Sequence, residues 1–146
     1  MIGRVAAALR SAADVGDDAR LVAALAAVEA DVPATKRQLA IDAQDDETDM
    51  SALMLAAAGG HSACCSLLLE ARADANATAD DAGGRTALHL AAYSAHVEVV
   101  RLLVEANADT TVRCRVGEFG GTARDMAAQR EKEWRVGGGD GEEDVE

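Results

Sequence analysis

The sequence is poor in almost everything that builds a sheet, an oxidised scaffold or a nucleic-acid surface. Aromatic residues are 2% of its 146 residues: Tyr93, Phe119 and Trp134. It holds one proline, and its β-branched residues seldom cluster, so it is poorly suited to strands. Three cysteines with no secretory leader read as reduced thiols, the pattern of a cytoplasmic or nuclear protein. No apolar run approaches the length of a membrane-spanning helix, so no membrane insertion is expected. Basic residues are outnumbered 14 to 26, for a net charge of −12. That balance argues against direct binding to nucleic acid or to anionic membrane, since both need basic surface.

What the chain does have is small and apolar. Hydrophobic residues make up 49%, too many for a disordered polymer, and alanine alone is about a quarter of the chain. A core of Ala, Leu and Val has small side chains, so helices must approach closely to fill it. The expectation is one all-α domain. The opening stretch, MIGRVAAALRSAAD, carries two arginines and no acid before Asp14, the bias of a transit peptide. The same stretch also fits, as a structural helix, the repeat that follows.

Self-comparison reveals that repeat. SALMLAAAGGH (51–61) aligns without a gap with TALHLAAYSAH (86–96), an offset of 35, and LLLEARADAN (67–76) aligns with LLVEANADTT (102–111) at the same offset. A fainter copy, GGTARDMAA (120–128), follows GGRTALHLAA at an offset of 36. LRSAADVGDDARLVAALAAVEADV (9–32) fits as an N-terminal unit. These units resemble the ankyrin repeat family, whose repeat is about 33 residues with a T-P-L-H-x-A signature. The resemblance implies an ankyrin-repeat solenoid of stacked helix-turn-helix units with β-turn fingers. About two full repeats would lie between divergent N- and C-terminal capping units. The units are expected over about 5–34, 46–78, 81–113 and 117–136 of one domain spanning 1–136, with a flexible Gly-rich acidic tail over 137–146.

Local chemistry agrees with this frame. Ser51, Thr86 and Thr122 each precede an apolar helix and offer an oxygen to its unpaired N–H groups. Arg124 stands where Leu53 and Leu88 stand in the full units, as suits a terminal unit. The family favours glycine where the chain turns left-handed, but this sequence places Ala95, Arg72 and Asn107 there. Asparagine tolerates the geometry, whereas alanine and arginine should each cost about 1 kcal/mol.

Candidates for chemistry are absorbed by the repeat. His61 and His96 occupy one equivalent site at the start of the second helices, and the resemblance implies that His89 hydrogen-bonds around the neighbouring loop. Cys64 and Cys65 align with Val99 and Val100 and read as small core residues. Adjacent cysteines lack zinc-site spacing, and Cys114 stands alone in a loop. The acidic run IDAQDDETD (41–49), in an enlarged first finger, lacks the glycine and distal glutamate of a calcium loop. The glycine doublets contain no phosphate-binding motif. No nucleophile–base constellation is visible, so neither enzymatic activity, a metal nor a cofactor is expected.

The resemblance implies partner binding through a concave face of finger tips and first helices. Carried onto this sequence, that face comprises Glu47, Thr48, Met50, Ala58 and Gly59, then Ala82, Gly83, Arg85, Tyr93 and Ser94, and last Glu118, Phe119, Gly121, Gln129 and Arg130. Tyr93, Arg85, Met50 and Phe119 are the expected anchors, since aromatics and arginine are enriched in binding hot spots. The alternative is that Phe119 packs under the last finger and Tyr93 covers a helix end. The expected function is a non-catalytic, monomeric protein–protein interaction module: an adaptor, inhibitor or regulatory subunit for a protein partner of unstated identity. Two other readings stand beside it. The acidic tail and finger could make the chain a chaperone or decoy for basic proteins, or it could be a fragment or subunit of a larger ankyrin array, with Trp134 and Val136 as a docking point.

Overall fold

The computed structural model, described here for residues 2–79, 83–115 and 121–128, is a stack of helix pairs. The first pair is α1 (Ile2–Val15) and α2 (Asp18–Asp31). A 3-10 turn (Ala34–Lys36) leads into the short α3 (Arg37–Ile41). The next pairs are α4 (Ala52–Gly59) with α5 (Ser62–Glu70), and α6 (Ala87–Tyr93) with α7 (Val97–Glu105). Residues 123–128 are helical again. Among the described residues there is no β-strand, only an antiparallel bridge between Ala79 and Arg85 at the base of one finger.

First helices α1, α4 and α6 pack in one layer, and second helices α2, α5 and α7 in the other. The paired alanines make the first layer possible. Ala12, Ala13, Ala56, Ala57, Ala91 and Ala92 are all buried, where larger side chains would hold the helices apart. In the terminal unit Arg124, Ala127 and Ala128 are exposed, as the substitution of arginine for leucine implies. Leu9, Leu21, Leu53, Leu68 and Leu103 fill the space between layers.

Helix α3 has no counterpart in the sequence reading, which assigned no element to residues 35–45. Pro33 precedes the 3-10 turn, and the Arg37 side chain reaches back to the end of α2. Its Nε donates to the Val32 carbonyl at 3.2 Å, and its Nη2 to that of Glu29 at 2.7 Å. Carbonyls that α2 leaves unpaired at its C-terminus thereby find a cationic donor. Burial of Ala40 and Ile41 holds the helix to the stack.

The left-handed positions fall where expected: φ is 61° at Ala95, 68° at Arg72 and 63° at Asn107. Asp49 joins them at 57°, which the sequence did not signal. The Ala95 and Arg72 side chains are exposed, so glycine there would forfeit little packing. Ala95→Gly and Arg72→Gly are each expected to raise stability by about 0.5–1 kcal/mol, after part of the relief is offset by the freer unfolded chain. Urea midpoints check this; a double variant with an unshifted midpoint contradicts the strain account.

Candidate partner-binding face

Each finger returns into its first helix through a capping residue, and that cap fixes what the finger presents. The Ser51 hydroxyl accepts from the Met54 N–H at 3.3 Å, Thr86 from His89 at 3.4 Å and Thr122 from Asp125 at 3.3 Å. Met50, Arg85 and Gly121 each immediately precede a cap, so they occupy equivalent places on successive fingers. Stacked helices lie roughly 8–10 Å apart, which spaces these positions regularly along the stack.

The finger backbones are tied down. In the first, Asp45 accepts from the N–H groups of Glu47 at 2.8 Å and Thr48 at 3.2 Å, and Arg10 lies 3.9 Å away. These bonds, the Glu47 one foremost, hold the Asp45 carboxyl below its ordinary range. The run read as a solvated acidic loop thus spends one carboxylate on ordering its own tip, leaving Glu47 and Thr48 exposed. Between fingers, Gln44 donates to the Thr78 carbonyl at 2.8 Å and the Arg115 N–H to that of Gly83 at 2.6 Å. Asp42 and Asn76 accept from the backbone N–H groups of Asp74 and Asp109, joining consecutive units in the same manner. At the last cap, Asp125 accepts from both the N–H and hydroxyl of Thr122, and these bonds depress its pKa.

Of the candidate partner-binding residues, Glu47, Thr48 and Gly59 are exposed. Met50, Ala58, Gly83, Arg85, Tyr93 and Ser94 are half-buried, and Gly121 is buried. Ala82, Glu118, Phe119, Gln129 and Arg130 lie outside the described residues. Met50 packs against the core with part of its side chain. The Arg85 Nε is buried with no hydrogen-bond partner among the described residues.

A family model of ankyrin repeats in three copies matches residues 9–114. The chain belongs to the ankyrin-repeat family. Comparison with curated proteins gave no significant match. Ankyrin repeats are in general protein–protein interaction modules and are typically non-catalytic. The ankyrin histidine does what the resemblance implied: His89 Nε2 donates to the Gly121 carbonyl in the next finger at 2.9 Å. His61 and His96 place Nε2 at 3.2 Å from the Asp14 carbonyl and 3.1 Å from that of Ala58, each bridging to the preceding ankyrin unit.

The thiols face inward. Burial pushes Cys65 up to about 12, and Cys64 also to about 12, where burial is reinforced by a hydrogen bond to Asp18 at 3.0 Å. Such thiols are poor nucleophiles at neutral pH. Cys114 does lie in a loop, and it is buried there, with its Sγ 3.9 Å from the Met126 sulfur. No helix among the described residues is long and apolar enough to cross a membrane.

The sequence reading missed the outward valines of α7. It singled out Val99, Val100, Leu102 and Leu103, but Val97 and Val104 are 66% and 48% exposed. Their signal was available: 97, 100 and 104 form a second apolar stripe at helical spacing, beside the buried pair Val99 and Leu103.

Proposed function

We propose that this chain is an adaptor, inhibitor or regulatory subunit without catalytic activity, gripping one protein partner across the finger tips and adjoining ends of the first helices. The observation that carries this reading is the repetition of presented side chains on ordered supports. Met50 and Arg85 stand at equivalent finger positions, Tyr93 ends the first helix of the unit that carries Arg85, and each is half-exposed. Three unpaired cysteines suit the reducing cytoplasm or nucleus.

The test is affinity capture from source-cell lysate with wild type and with a variant carrying Met50→Ala, Arg85→Ala, Tyr93→Ala and Phe119→Ala. Circular dichroism should confirm that the variant is folded. The expected result is loss of the captured partner, an affinity drop of roughly tenfold or more. A folded variant that captures the same partners equally well overturns this placement of the face.

A further inference from the structure

The first finger is braced from the N-terminal unit. With the units registered on their paired alanines, Ala12-Ala13, Ala56-Ala57 and Ala91-Ala92, one place in the first helices holds Arg10, Met54 and His89 in turn. From that place a side chain can reach the next finger. His89 Nε2 donates to the Gly121 carbonyl at 2.9 Å, and Arg10 Nη1 donates to the Ala43 carbonyl at 3.3 Å. Met54, between them, is buried and has no side-chain donor, so α4 sends no such bond to the second finger.

Arg10 also meets the residue on which the first finger turns. The Asp45 N–H donates to the Met50 carbonyl at 3.0 Å, and the Asp45 carbonyl accepts from the Asp49 N–H at 2.8 Å. Ala79 makes the same two backbone bonds in the second finger, with Arg85 at 2.8 Å and Gly84 at 2.9 Å. The likeness ends at the side chain. One Asp45 oxygen accepts from the Glu47 and Thr48 N–H groups, and the other lies 3.9 Å from Arg10 Nε. Every polar group of Asp45 is thereby engaged within the chain. The Arg10 side chain is 17% exposed, so the brace is partly shielded from water.

We infer that Arg10 and Asp45 are positioning residues for partner recognition. They hold Glu47, Thr48 and Met50 in the shape the partner meets, and neither belongs to the proposed contact surface. This rests on the partner face proposed above and adds α1 of the N-terminal unit to its machinery. The physical gain is preorganisation. An ordered finger has already lost the backbone entropy that a loose finger would lose on binding, and the affinity rises accordingly.

Nuclear magnetic resonance of the full-length chain reads the order of the finger directly. Amide order parameters at Glu47 and Thr48 are expected at about 0.85 in wild type and below about 0.6 in Asp45→Ala. The partner retained in the capture experiment should bind Asp45→Ala roughly tenfold more weakly, and Arg10→Met roughly threefold more weakly, by titration calorimetry. Asp45→Asn keeps an oxygen for the two N–H groups and should restore both the order and most of the affinity. A general loss of stability would instead lower the urea midpoint and would not be confined to the finger. Two results overturn the inference. One is a finger that is mobile in wild type or stays ordered in Asp45→Ala. The other is a loosened finger with unchanged affinity, while the four-alanine variant of the face loses its partner. If the four-alanine variant binds as wild type does, or wild type captures nothing, the face itself fails and this inference falls with it, whatever the order parameters show. If Asp45→Ala does not fold, Arg10→Met decides on the same two readings, since it leaves the finger's own sequence intact.

Discussion

The His89→Ala variant is expected to lose about 3–5 kcal/mol of stability, enough to leave so small a repeat stack largely unfolded. The ring is 1% exposed and bonded at both nitrogens. Nδ1 accepts from the Thr86 N–H at 3.1 Å and sits 2.8 Å from the Thr86 hydroxyl, while Nε2 donates to Gly121 across the gap to the last finger. Alanine leaves a buried amide and a buried carbonyl without partners, each costing roughly 1–3 kcal/mol, and adds an unfilled ring-sized space. Urea denaturation followed by circular dichroism measures the loss; a loss below about 1 kcal/mol contradicts the account.

The same geometry sets a pH dependence. Burial holds His89 below its ordinary value of 6.5, against the bonds to the Gly121 and Val112 carbonyls, which act the other way, while nearby Arg85 depresses it further. Because the pKa is depressed in the folded chain, the unfolded chain binds more protons just below 6.5, and stability rises with pH there. The contribution of the neutral ring is complete above about 6.5 and is lost as pH falls through the folded value. Urea midpoints measured from pH 7.5 to 5 should fall more steeply in wild type than in His89→Gln.

What the sequence makes legible is whatever recurs. Ser51, Thr86 and Thr122 announce their caps by standing at the same place in three units, and Ala95, Arg72 and Asn107 are recognisable as left-handed because glycine is expected there. The illegible parts have no second copy to compare. Helix α3 depends on Arg37 reaching carbonyls that α2 leaves free, a tertiary accident of one turn. Cys114 is the exception: carried past Thr111, the offset of 35 sets it on Ala79, which is buried too, and Met126 lies 3.9 Å from its sulfur. Composition likewise misreads Asp45, since a carboxylate in an acidic run is taken for solvated surface until its backbone donors are placed. The proposed partner-binding face falls between these cases. Its register is set by the caps and so can be read, whereas how far Met50 sinks into the core depends on the packing of the neighbouring unit.

Gly60→Ala is expected to cost about 2–4 kcal/mol, although the equivalent position one unit later already is alanine. Gly60 has φ 73°, close to the 61° of Ala95, so backbone strain alone does not explain why one unit requires glycine and the next does not. The difference lies in the following unit. A Cβ on Gly60 would meet the His96 ring at 2.6 Å, and one on Gly16 would run into the His61 ring in the same way. The unit after Ala95 has Lys132 at the histidine place, so no such ring is encoded there. In Gly60→Ala the His96 ring must therefore leave the Ala58 carbonyl, adding a lost hydrogen bond of roughly 1 kcal/mol and some lost packing to the left-handed strain. The two costs separate in a double-mutant cycle with His96→Ala. Once the ring is gone, Gly60→Ala should cost only the roughly 1–2 kcal/mol of the backbone conformation. An undiminished cost in the His96→Ala background would show that the ring contact plays no part in keeping glycine at this turn.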